Sequence, residues 1–116
     1  MTSKPVGPYT PAVRAGDWLV VSGQVGVRDG NLVGGGMQAE LRQALENLRQ
    51  LLEGHGSSLT DVVKTTVYLR HIDDYAAMNE LYTEFFGEHR PARAAVAVAG
   101  LPLHALVEVE AWAFTG

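Results

Sequence analysis

Hydrophobic positions recur at two different periods along the chain, and each change of period marks a new element. Over Trp18–Gln24 the period is two: Trp18, Val20, Ser22 and Gln24 share one face, and Leu19, Val21, Gly23 and Val25 the other. With Ala12–Arg14 before it and Gly16 and Asp17 between, this stretch reads as a hairpin. Asp29 and Gly30 signal a turn ahead of a short strand at Leu32 and Val33. From Met37 to Glu53 the spacing lengthens to three and four, with Leu41, Ala44, Leu45, Leu48, Leu51 and Leu52 on one stripe. That predicts an amphipathic helix closed by Gly54. Val62–Leu69 is rich in β-branched residues and predicts a strand with Val63, Thr65, Val67 and Leu69 on one face. Asp73 or Asp74 is placed to cap a second helix over Tyr75–Phe86, with Met78, Leu81, Tyr82 and Phe85 inward and Gly87 at its end. Ala94–Ala99 is all alanine and valine and predicts a short strand buried on both faces. After a turn at Gly100 and Pro102, alternation returns: Val107, Val109, Ala111 and Ala113 point one way, and Leu106, Glu108, Glu110, Trp112 and Phe114 the other.

The order is strands, helix, strand, helix, two strands, with no internal repeat and no linker. It predicts one α+β domain over residues 1–116, two helices packed on one face of a mixed sheet. Before the first strand, residues 1–11 hold Pro5, Pro8 and Pro11 around Tyr9 and predict an extended arm. Tyr9 is either a packing peg on that arm or a phenol offered to a pocket. Two helices cover only one side of a sheet. The uncovered side would carry Trp18, Val20, Tyr68, Trp112 and Phe114, more apolar surface than a monomer leaves in water, so a homo-oligomer is expected.

Composition narrows the function classes. Cysteine is absent, which excludes disulfides, thiolate nucleophiles and thiolate metal sites. No apolar run approaches a membrane span or a signal peptide, so the expectation is a cytoplasmic protein with no membrane partner. The formal net charge is -4 and the basic residues are scattered, against the basic stripe that nucleic acid requires. His55, His71, His89 and His104 fall in turns or at element ends without ligand spacing, so no metal site is expected. Gly34–Gly36 precede a helix but are followed by neither nucleotide fingerprint, and read as a turn. No G-x-S-x-G motif supports a serine hydrolase.

Two features carry candidate chemistry. Arg93 heads a run of small side chains, Ala92, Ala94 and Ala95, too short to fill the space around a guanidinium, and could grip a small carboxylate at two points. Glu108 and Glu110 lie two apart on one strand face, close enough for repulsion to raise one pKa. Pairing of both with basic groups across an interface is the competing reading, and an ordinary strand-end ion pair competes for Arg93.

Eight motifs follow one another along the chain: GPY at Gly7–Tyr9, SGQ at Ser22–Gln24, Asn47, the VVKTTVYL strand, Asn79 with Tyr82, PAR at Pro91–Arg93, LP at Leu101 and Pro102, and VEVE at Val107–Glu110. In this order they resemble the RidA (YjgF) family of reactive intermediate deaminases. The resemblance spans nearly the whole chain. It implies a chorismate-mutase-like fold and a homotrimer whose sheets line a central barrel, with sites in clefts between subunits. It also implies a hydrolase needing no cofactor, a 2-iminobutanoate/2-iminopropanoate deaminase that converts 2-imino acids and their enamine tautomers to 2-keto acids and ammonia. By that resemblance Arg93 holds the substrate carboxylate, Glu108 positions or activates water, and Tyr9, Ser22, Asn79 and Ala95 line the cleft. Ala95 stands where many members carry cysteine, and the Phe86–Pro91 connection is shorter than in typical deaminating members. A non-catalytic carboxylate-binding regulator or chaperone-like member, and a pathway-specific deaminase for a larger enamine, are the alternatives; RNA cleavage is disfavoured by the acidic balance.

Overall fold

A computed structural model describes Pro5 and residues 7–116; the remainder of the expected arm lies outside the described residues. Strands β1 (Ala12–Ala15) and β2 (Trp18–Gln24) form the expected hairpin, and β3 (Val27–Arg28) with β4 (Asn31–Leu32) a second, smaller one. Helix α1 (Gly36–Gly54) is followed by β5 (Val62–Leu69), helix α2 (Tyr75–Phe86), β6 (Ala92–Ala97) and β7 (Val107–Phe114). The main sheet has the order β1-β2-β7-β5-β6 and is mixed, with β5 and β6 parallel and the other pairs antiparallel. This is the α+β arrangement the periodicity predicts.

The core lies between the sheet and the two helices. Leu41, Leu45, Leu48 and Leu52 of α1 and Met78 of α2 meet Leu19, Val21, Val67, Leu69, Val107 and Val109, all fully or almost fully buried. Asn47 is buried among them, and its amide donates to the carbonyls of Val25 and Val27 at 3.2 and 3.0 Å, tying α1 to the chain around β3. Buried Glu40 ties the same helix to the start of β7, accepting from the Leu106 amide at 2.7 Å. A buried amide or carboxylate without such partners would cost more than its packing returns.

Several expectations are corrected. The Ala94–Ala99 run is not a strand buried on both faces: β6 is the edge of the sheet, paired with β5 alone, and Ala94, Val96 and Ala97 are exposed. Helix α1 runs through Gly54, and the left-handed residue that ends it is Gly56, φ 78°, with the Ser57 amide reaching back to the Leu52 carbonyl at 2.8 Å. In β5 the alternation slips at Val63. Val62 pairs with Ala113 and Lys64 with Trp112, so Val63 is an extra residue, exposed while Val62 is buried. Phe86 rather than Phe85 is the buried aromatic at the end of α2, and Asp74 occupies the N-cap without a side-chain hydrogen bond. Gly87 closes that helix at φ 66° as expected.

The uncovered face carries the expected aromatic group. Trp18 meets Phe114 at 5.0 Å and Trp112 at 6.1 Å between ring centroids, edge to face, and all three remain exposed in the protomer.

Candidate functional site

Arg93 stands opposite Thr65 in the parallel β5–β6 ladder and points to the helix side of the sheet. Its Nη2 donates to the Tyr75 hydroxyl at 3.1 Å and its Nη1 lies 3.6 Å from the Met78 sulfur. The guanidinium carbon sits 4.9 Å from the Tyr82 ring centroid and 5.6 Å from that of Tyr75. Tyr82 is itself held by a 2.6 Å hydrogen bond between its hydroxyl and Thr65 Oγ1. Every one of these partners is neutral. Among the described residues no carboxylate pairs with Arg93, so its charge is positioned by rings, a thioether and a phenol without being neutralised. The strand-end ion pair that competed for this residue is absent among the described residues.

Glu108 lies on the opposite face. It stands across from Tyr68 in the β5–β7 ladder, and Tyr68 donates its hydroxyl to Glu110 Oε1 at 2.7 Å. Burial pushes the Glu108 carboxyl above its usual value, with the neighbouring Glu110 charge adding to the shift. The Tyr68 hydroxyl is pushed up in turn, first by its bond to Glu110 and then by burial.

The seat of Glu108 is Gly23. Val21 pairs with Ala111 and Gln24 with Val109, so two residues of β2, Ser22 and Gly23, oppose the single Glu110. This bulge overturns the strict alternation expected for β2 and turns Gly23 toward the Glu108 side. A methyl group on Gly23 would lie 2.6 Å from the Glu108 carboxyl carbon, so only glycine admits the carboxylate there.

The other expected site residues divide between the two faces. Ala95 follows Arg93 on the helix side of β6, opposite Val67, and Asn79 is next to Met78 on α2. Ser22 adjoins Gly23 in the bulge. Asn79 Oδ1 and Ser22 Oγ are both buried and make no hydrogen bond among the described residues, which is uncommon for folded proteins. Tyr9 is exposed on the arm, its ring beside Gly7. The protomer thus places Arg93 with Ala95 and α2 on one side of the sheet, and Glu108 with Ser22 and Gly23 on the other. Arg93 and Glu108 are not brought together within one chain.

Three side chains at this site escaped the sequence reading as site residues. Tyr75, Met78 and Tyr82 hold Arg93 from α2, and their spacing of three and four on one helix face was the available signal. No cluster of three or more His, Cys, Asp or Glu that could hold a metal occurs among the described residues.

Residues 1–115 match the family model described as Endoribonuclease L-PSP. A RutC family protein of Pyrococcus horikoshii is 48% identical over 96% of this chain and 90% of its own. The human 2-iminobutanoate/2-iminopropanoate deaminase is 43% identical over 96% of this chain and 82% of its own. The crystal structure of RidA from an Antarctic Psychrobacter superposes with a TM-score of 0.94 at 38% identity, covering 97% of this chain and 93% of that one. The chain belongs to the Endoribonuclease L-PSP family, the RidA-type family that its motifs resemble.

Proposed function

We propose that the protein hydrolyses small 2-imino acids and their enamine tautomers to 2-keto acids and ammonia, as a single-domain homotrimer with sites between subunits. The observation that carries this reading is the unneutralised guanidinium of Arg93, held open on the helix side of an edge strand. Such a group suits a small carboxylate. Glu108 of an adjacent copy supplies the second half. With its pKa raised toward the working range, it takes a proton from water as the oxygen attacks the imine carbon, and returns a proton to the departing amine. The imine carbon of a protonated substrate is already electrophilic, so holding the carboxylate and orienting one water supply most of what the step needs. Arg93, Ala95 and Asn79 then face Tyr9, Ser22 and Glu108 across the cleft.

The decisive assay generates 2-iminopropanoate and 2-iminobutanoate in place with a dehydratase and traps what remains with semicarbazide. Native protein is expected to clear both imines and Arg93→Ala to clear neither; equal rates for the two proteins would end the proposal.

The second reading, a carboxylate-binding protein without turnover, is favoured by the fact that the Arg93 half-site is complete without Glu108. It predicts keto-acid binding with no acceleration of imine loss. The family model's name points to RNA cleavage, and the net charge of -4 speaks against it.

A further inference from the structure

Tyr75 is the first residue of α2 and is substantially exposed, yet its hydroxyl is tied to the half-buried Arg93. In the 3.1 Å contact the guanidinium Nη2 donates and the phenol oxygen accepts, which leaves the phenol's own proton free to point elsewhere. The ring is fixed by the guanidinium 5.6 Å from its centroid, and the Met78 sulfur, 3.6 Å from Nη1, occupies the other end of the fork. An anion approaching Arg93 from the exposed side therefore meets two donors side by side: the Nη2 amine and the Tyr75 O–H.

We propose that Tyr75 is a substrate-binding residue, its hydroxyl donating to one carboxylate oxygen while Arg93 donates to the other. The inference rests on the carboxylate-binding role of Arg93 proposed above, and adds to it the residue that selects for a carboxylate. A planar carboxylate has two oxygens to satisfy, and Arg93 alone presents a terminal nitrogen already engaged by a neutral thioether. Binding releases the Nη2–phenol bond and replaces it with two charge-assisted bonds to the same ligand. No proton changes owner in this step, and the phenol stays neutral throughout. A neutral ligand of the same shape gains weaker bonds from the exchange, and a cationic one is repelled.

The test uses Tyr75→Phe, which keeps the exposed ring beside Arg93 and removes one oxygen, alongside Arg93→Ala and the native chain. Calorimetric titration with sodium 2-oxobutanoate, the product keto acid, reads binding without requiring turnover. The phenylalanine variant is expected to bind about tenfold more weakly, the loss typical of one hydrogen bond to a charged group, and Arg93→Ala to lose binding. In the imine assay the same variant should show KM raised by about the same factor with kcat held, the signature of lost uniform binding. Unchanged 2-oxobutanoate affinity in Tyr75→Phe, with binding lost in Arg93→Ala, would overturn the role of Tyr75 alone. A fall in kcat at constant KM would also overturn it, by showing that Tyr75 braces Arg93 without touching the ligand. Undiminished binding in Arg93→Ala would bring down the carboxylate reading beneath it.

Discussion

Two glycines, Gly23 and Gly26, face the same substitution with different outcomes. At Gly23 the added methyl meets the flexible end of a side chain, the Glu108 carboxylate, which can swing away. Gly23→Ala is therefore expected to fold with nearly native stability and to lose most imine clearance, because the carboxylate it displaces is the proposed base; a chemical denaturation curve beside the rate would show the split. Glu108 itself has a cost in the folded protein. Its carboxyl is raised above the usual 4.5, so the folded chain binds that proton more tightly than the unfolded chain does. Above the raised pKa, native Glu108 opposes folding, and below 4.5 the penalty is gone because both states are protonated. Glu108→Gln should accordingly be inactive yet more resistant to urea than the native chain at pH 7, the difference fading as the pH is lowered from the raised pKa to 4.5. A urea midpoint at pH 7 below the native one would contradict the shift.

Elements were legible in the sequence wherever a period ran unbroken. The α1 stripe and the alternation of β7 both stand as read, since each follows from which side of one regular element must be dry. Bulges were not legible. The extra residue at Val63 is an ordinary β-branched one, and the doubled pair Ser22–Gly23 looks like continued alternation until the register against β7 is known. The edge position of β6 was hidden for a related reason: an alanine and valine run reads the same whether it lies inside a sheet or at its edge. The open surroundings of Arg93 were legible through the smallness of its sequence neighbours, whereas its contact with Tyr75 emerged only when α2 was laid across β6. Packing between elements also explains Gly26, where a methyl would lie 2.6 Å from the Glu40 carbonyl oxygen and 2.7 Å from its Cα. Backbone cannot swing aside as a carboxylate can. Gly26→Ala is expected to push α1 off the sheet and cost about 1–3 kcal/mol of stability, measurable as a lowered urea midpoint.

The whole molecule presents an exposed aromatic face and an open sheet edge, with Arg93 and Glu108 on opposite sides of the sheet. If copies meet through these surfaces, Arg93→Ala and Glu108→Gln, each inactive alone, should recover activity after being unfolded together and refolded as a mixture. Random trimers from equal amounts would restore about a quarter of the sites, and a mixture as silent as its parents would place both residues in the same chain's site or outside it. Trp112→Glu, which puts a charge into the aromatic cluster, should yield smaller particles by sedimentation and abolish imine clearance with both half-sites intact.

The placement of the cation and the carboxylate on opposite sides of one sheet makes that sheet an insulator. No loop motion or side-chain rotation within a single copy can close the gap, since the backbone itself stands between the two groups. Under the proposed mechanism, activity counts neighbouring pairs and not chains. Near the concentration at which the assembly comes apart, halving the amount of protein would more than halve the rate, so the cell's output of this activity would carry a threshold set by how much of the chain is made.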